Sequence, residues 1–281
     1  MLCISQNDLD AFRYSQQGIS GSARFNAMGG AFSAIGADVT LAAINPAGLA
    51  IYKNGELNYG GAIKAINNST NLYNNKVTDG TSKFIYNHFG LVTAWKSDKD
   101  KQSRHAIGLV SVQRNNFNNT ISMGGNTNNS SIAKDMLNIA TKKGTVNNLN
   151  SYYEGLGFDA LLLDTMYNKF ISLEDVGRTV SQNRKLTLTG KMNELNFSYA
   201  YSYKDEFYVG GSIGVPKINY SSTLTHTEKD LNDSMRIGFN SNGTFTTSYT
   251  SFPNEINDIY KNYLGFNELT YTEYFESNGT G

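Results

Sequence analysis

The sequence predicts an all-β protein: a transmembrane antiparallel β-barrel, incomplete in this chain and so an open curved sheet, with a small-residue N-terminal segment and short helices in its outer loops. Three observations carry that expectation. Several runs of about 9–11 residues alternate apolar with small or polar side chains at a period of two. The connections between these runs alternate between long and short. Gly and Tyr are heavily used, 27 and 18 in 281 residues, and Asn clusters in pairs such as Asn115-Asn116 and Asn147-Asn148. Such residues suit short strands and polar turns better than a helical core.

Composition removes several alternatives. Lys+Arg and Asp+Glu balance at 24 each, so no net field favours nucleic acid, and none is expected as a partner. Mean hydropathy is −0.41, and no segment approaches the roughly 18 continuous apolar residues of a spanning helix. A barrel strand needs an apolar residue only at alternate positions, so a low mean is compatible with it. Cys3 is the only cysteine, which excludes an internal disulfide and a cysteine-based zinc site.

Taken in chain order, residues 1–5 read as the tail of a signal peptide, with Gln6 as the mature start. Residues 6–55 form a first unit. Gly18, Gly21, Gly29, Gly30, Gly36 and Gly48 lie among many Ala and Ser, a texture that permits close backbone approach but not an independent core. The unit turns at Asn45-Pro46-Ala47-Gly48, since Pro lacks a donor and turns the residue before it away from the helix region. It must lie inside or against something larger.

Residues 56–281 are the sheet. Leu57, Tyr59, Gly61 and Ile63 alternate with Glu56, Asn58, Gly60, Ala62 and Lys64. Phe89, Leu91, Thr93 and Trp95 alternate with His88, Gly90, Val92 and Ala94. His105–Phe117 alternates less cleanly. Leu195, Phe197, Tyr199, Tyr201 and Tyr203 alternate with Glu194, Asn196, Ser198, Ala200 and Ser202. After a short charged turn, Phe207, Val209, Gly211, Ile213 and Val215 alternate with Tyr208, Gly210, Ser212 and Gly214. A sixth strand is expected near Glu268–Phe275, and a terminal loop over Ser277–Gly281.

Face chemistry distinguishes a soluble sandwich from a membrane barrel. The apolar faces carry no charge, and the opposite faces carry glycines, with Lys64, His88 and Glu194 as residues facing a lumen. Lipid outside and a cavity inside account for both. Asn68–Lys83, about Gly124–Gly190 and about Thr227–Asn267 read as long outer loops. Ser97–Arg104 and Lys204–Glu206 read as short turns, with Trp95, Tyr203 and Phe207 in an interfacial girdle. Within the long middle loop, Ser131–Ala140 and Gly157–Phe170 carry helical spacing.

No chemistry-bearing motif stands out. Gly155-Leu156-Gly157-Phe158-Asp159-Ala160 fits a dinucleotide pattern but follows no buried parallel strand. His88, His105 and His226 are not at ligand spacing, and Glu174-Asp175 and Asp205-Glu206 are adjacent pairs that diverge. No enzyme activity, metal or cofactor is expected.

The segment Met28-Gly29-Gly30-Ala31-Phe32 through Asp38 to Asn45-Pro46-Ala47-Gly48, followed directly by a strand, resembles the FadL/TodX family of outer-membrane transporters. The opening Asp8-Leu9-Asp10-Ala11-Phe12-Arg13-Tyr14-Ser15-Gln16 is similar to a Bacteroidetes branch, some of whose members are labelled hemin receptors. The resemblance is strong over Asp8–Tyr59 and rests on strand pattern beyond. It implies a bacterial outer-membrane protein that touches lipid and takes up an apolar small molecule, such as a long-chain fatty acid. Residues 6–55 would then be a hatch, with Asn45, Pro46, Ala47 and Gly48 as its plugging element and Gly29, Gly30 and Gly36 as its glycines. A kinked third strand makes a lateral opening in that family, and His105–Phe117 is the matching segment. A second implied role is a secretion-accessory or surface-binding barrel, including a hemin-receptor-like one. Family barrels have about fourteen strands and this chain about six, so it reads as an N-terminal fragment with the Glu56 strand at one edge.

Overall fold

Alternating residues need a partner strand on each side, and one antiparallel sheet supplies it. The computed structural model describes residues 8–16, 18–98, 100–160, 162–166, 168–172, 179–231, 238–239, 245–246 and 268–280. The proposed signal-peptide tail, Gln6, Glu174-Asp175, Gly281 and most of the loop before Asn267 lie outside these. The chain opens with α1 (Asp8–Ser15) and α2 (Ala23–Ala27), then two 3-10 turns, Val39–Ala43 and Pro46–Ile51. The strands β1 (Glu56–Leu72), β2 (Asn75–Lys96), β3 (Arg104–Asn116) and β4 (Asn119–Thr127) follow. Next come α3 (Ile132–Lys143), a 3-10 turn at Val146–Asn148, α4 (Glu154–Asp159), and the small hairpin β5 (Leu163–Met166) and β6 (Lys169–Ser172). The long strands β7 (Val180–Tyr203) and β8 (Phe207–Asp230), the short pair β9 (Gly238–Phe239) and β10 (Phe245–Thr246), and β11 (Glu268–Thr280) complete the order.

The main sheet has the order β1-β2-β3-β7-β8-β11, with β4 also paired to β7. All its pairings are antiparallel. It is open, with β1 at one edge and β11 at the other. The turns β2–β3 and β7–β8 lie at one end, where Arg104 pairs with Asp205 and Ser103 accepts from the Lys204 N–H. The β1–β2 turn and the long insertion between β4 and β7 lie at the other, here called the outer end.

Several connections differ from the sequence reading. Asn68–Lys83 is not a loop: β1 and β2 continue to a two-residue turn, Tyr73-Asn74, both with positive φ (50° and 62°), the geometry of a tight hairpin. Both faces there are polar, so no apolar alternation marked it. β4 escaped notice for the same reason. Gly157–Phe170 is not one helix: α4 ends at Asp159 and the β5–β6 hairpin follows, returning Phe170 edge to face on Phe158 of α4 at 6.4 Å. Asn168, at φ 60°, makes that turn. Ser277–Thr280 pair with β8 and belong to β11.

The two faces of the sheet differ in cover. Residues 18–52 lie on one face, where Val39, Ala42, Leu49, Ala50 and Tyr52 form a core with Val92, Ala106, Val110, Val112 and Ala200. On the other face Leu195, Phe197 and Tyr199 are 50%, 54% and 44% exposed, while Ser198 between them is fully buried. The tyrosines therefore do not fill a core; the small and polar side does.

Candidate functional site

The covered face is built from residues too small to keep the N-terminal segment away. A Cβ at Gly210 would come within 2.6 Å of the Ala47 nitrogen and 2.7 Å of the Pro46 carbonyl carbon. At Gly90 it would meet Val39 at 2.2 Å. Asn45-Pro46-Ala47-Gly48 thus lies directly on β8, tied by the Asn45 side-chain amide to the Ser33 carbonyl at 2.9 Å. The Gly48 carbonyl accepts from the Ala37 N–H at 3.1 Å. Gly29, Gly30 and Gly36 all have positive φ, and Gly36 is wedged against Ile51 and Gly48.

Side chains from the wall clamp the segment. Arg114 sits at a register shift in β3 between Gln113 and Asn115. The bulge turns its guanidinium inward, where it bonds Glu194 through Nε (2.8 Å) and Nη2 (3.3 Å) and the Ala43 carbonyl (3.1 Å). Ser198 Oγ donates to the Ala42 carbonyl at 3.0 Å, and the Arg114 carbonyl accepts from Gly18. Nearer β1, buried His88 bonds Asn58 through Nε2 at 2.7 Å. It lines a cavity of about 420 Å³ between residues 21–38 and the β1–β2 hairpin.

Lys64 marks a seam in the sheet. β2 pairs with β3 only from His88 to Lys96; beyond Asn116 the chain steps at Phe117-Asn118 and continues along β7 as β4. The end of β3 and the free edge of β4 are met by side chains of the β1–β2 hairpin rather than by a strand. Lys64 Nζ donates to the Asn116 carbonyl (3.1 Å), Asn68 to Thr120 (2.6 Å), Thr70 to Ser122 (2.6 Å) and Asn75 to Gly124 (2.8 Å). Beside the step lies an aromatic group: Tyr220 contacts Phe117 (5.4 Å), Phe275 (6.1 Å) and Tyr14 of α1 (6.5 Å), with Arg13 4.1 Å over the Tyr220 ring.

At the outer end, α3, α4 and the small hairpin share a core of Ile132, Ala133, Met136, Ala140, Leu162 and Leu163. Ser131 caps α3 through the Lys134 N–H. Burial works against charge on Glu154, but bonds from Lys143, from the Asn150 N–H and from its own N–H outweigh it and hold the carboxyl below its ordinary value. Under α3 lies a second cavity, about 410 Å³, bounded by β4, β7, β8 and β11. Leu72, Met123, Leu224, Tyr153 and Tyr271 give it apolar walls, and Asp135, Gln182, Arg184, His226, Glu228 and Glu273 its polar ones. Burial and the bond to Asp135 (2.8 Å) push the Tyr153 phenol above its ordinary value, so it stays a donor.

The structure does not bring Lys64, His88 and Glu194 together; they serve a seam, a cavity and a clamp respectively. Sequence reading missed Arg114, whose only signal was a charge among the polar residues Gln113, Asn115 and Asn116 that end the apolar run of β3, and the Gln182–Glu228 group, which falls on polar strand extensions without alternation. Among the described residues no group of three or more His, Cys, Asp or Glu could hold a metal ion, and no helix is long and apolar enough to cross a membrane. Comparison of the chain with protein-family models, curated proteins and solved structures finds no match.

Proposed function

We propose that this chain is part of an outer-membrane β-barrel that passively admits hydrophobic small molecules, with residues 6–55 as its hatch and lipid against its uncovered face. One observation carries the reading. The uncovered positions of Leu57–Ile63, Phe84–Trp95, His105–Ser111, Leu195–Tyr203 and Phe207–Val215 form a band without Asp, Glu, Lys or Arg. Lys191 and Lys217 bound it above, and Lys204-Asp205-Glu206 bound it below. Nine residues of strand span roughly 30 Å, and tilted they match an apolar belt of about 25 Å. Soluble proteins rarely leave so large a contiguous apolar surface uncovered. At the lower rim Trp95, His105 and Tyr201 stand in a row across three strands, at ring separations of 5.6 and 4.9 Å, as an interfacial girdle would.

The seam supports a lateral route. A solute of low polarity gains nothing from a wet pore, and β2 and β4 part where the aromatic group lies. The edges β1 and β11 must be paired in lipid, so the working barrel requires further strands between them. The test is expression of the full-length protein in a bacterial outer membrane, followed by fractionation and an uptake assay with a long-chain fatty acid or alkane. Recovery in the membrane fraction with protein-dependent uptake is expected; recovery in a detergent-free soluble extract overturns the reading.

A further inference from the structure

The outer cavity has polar chemistry that the apolar band does not explain. Glu228, on β8, is fully buried and lines it. Three donors converge on its Oε1: the Ile132 N–H that opens α3 at 2.9 Å, Gln182 Nε2 at 2.7 Å and His226 Nε2 at 3.0 Å. Gln182 Nε2 also donates to the Ser130 carbonyl at 2.9 Å, so its hydrogens are spent. Oε2 is buried with no hydrogen-bond partner, and a buried acceptor in that state is stabilised by any donor that reaches it.

The surroundings select which donor. Asp135 and Glu273 line the same cavity with one lysine or arginine, Arg184; all three are solvent-exposed, so with buried Glu228 the carboxyl groups outnumber that cation three to one. A carboxylate head would face three carboxyl side chains; an ammonium head would be attracted by them and would supply Oε2 with a charge-assisted bond. Leu72, Met123 and Leu224 offer apolar surface, and Tyr153 and Tyr271 meet edge to face at 5.6 Å on one side.

We propose that the outer cavity receives the head of a single-chain amphiphile that is cationic and donates hydrogen bonds, a long-chain primary amine being the simplest member, and that it rejects carboxylate heads. The apolar tail rests on the transport reading above; the head is read from Glu228 and the two carboxyl side chains that share its cavity. E228Q is the informative variant, because its amide oxygen keeps the three donors while its NH2 replaces the unpartnered acceptor. Binding of dodecylamine and of dodecanoate is measured by calorimetry on the detergent-solubilised full-length protein. Wild type is expected to bind dodecylamine at least about tenfold more tightly, as one charge-assisted hydrogen bond implies, and E228Q to lose that preference. Equal or tighter dodecanoate binding, no binding of either probe, or an unchanged preference in E228Q overturns the proposal. Should E228Q not fold, the D135N/E273Q double variant must lower the preference severalfold, and an unchanged ratio overturns it. Uptake of dodecane, which has no head, separates the two readings: its persistence without an amine preference sinks only the head assignment, and its absence beside a clear amine preference sinks only transport.

Discussion

Phe197→Arg asks directly what touches the uncovered face. Phe197 stands at the middle of the charge-free band, 54% exposed, beside Leu109 on β3 and Ile213 on β8. Against lipid, arginine at the bilayer midplane costs about 2–4 kcal/mol, falling to about 0–1 near the interface. Tyr203, beside the charged turn and 45% exposed, is the interfacial control. The difference between Phe197→Arg and Tyr203→Arg is therefore expected at about 2–3 kcal/mol, roughly a hundredfold in the folding equilibrium. Against water, both sites are comparably exposed surface positions, and each substitution should fall within about 0.5 kcal/mol of wild type. Urea titration of the protein folded into phosphatidylcholine vesicles measures this, with Trp95, the single tryptophan, as reporter. Two small and equal effects would refute the lipid assignment.

Other perturbations probe the hatch and the outer cap. Gly210→Val should unseat Asn45-Pro46-Ala47, since the new Cβ meets backbone atoms that cannot rotate away; protease sensitivity of residues 18–52 should rise, and unchanged protection would contradict the contact. Leu49→Ala removes a fully buried side chain and should cost about 2–5 kcal/mol by denaturant unfolding, while Leu57→Ala, exposed at the edge strand, should cost far less in detergent. The Glu154 carboxyl is depressed below its ordinary value of 4.5. Its contribution is thus fully present above that value and is lost as pH falls through the depressed one. Amide protection factors in α3 and α4, corrected for the intrinsic pH dependence of exchange, should be constant from neutral pH to about pH 5 and fall in more acid solution; Glu154→Gln should be less protected throughout, with the acid step missing.

What the sequence made legible follows from where apolar residues contact a continuous medium. Leu195–Tyr203 and Phe207–Val215 alternate because one side meets the N-terminal segment and the other does not, so strands and faces could be read from them. The outer halves of β7 and β8, such as Thr187-Leu188-Thr189 or Ser221-Ser222-Thr223, are polar on both sides and no period survives, so only the inner halves of these 24-residue strands were legible. Asn45–Gly48 could be singled out by proline and glycine chemistry, and it does sit at a close contact. Glu228 could not, because its role depends on Ile132 and Gln182, far away in sequence and joined only by the fold.

In the barrel proposed above, the seam between β2 and β4 would let the wall be both closed and openable. A strand edge left bare would invite pairing or, in lipid, leave polar backbone groups unsatisfied. Here Asn68, Thr70 and Asn75 supply side-chain donors to that edge, and Lys64 one to Asn116 at the end of β3 beside it, worth about 0.5–1.5 kcal/mol each and about 2–6 kcal/mol together. The β1–β2 ladder, by contrast, pairs continuously from Glu56/Val92 to Leu72/Asn75, and separating it means breaking backbone bonds along its whole length. Rotating four side chains requires no strand to move. On the proposed reading, an apolar solute leaving sideways would leave where side chains stand in for a strand, and the Arg114 bulge, which holds Ala43 beside the same step, would couple that exit to the seating of the N-terminal segment.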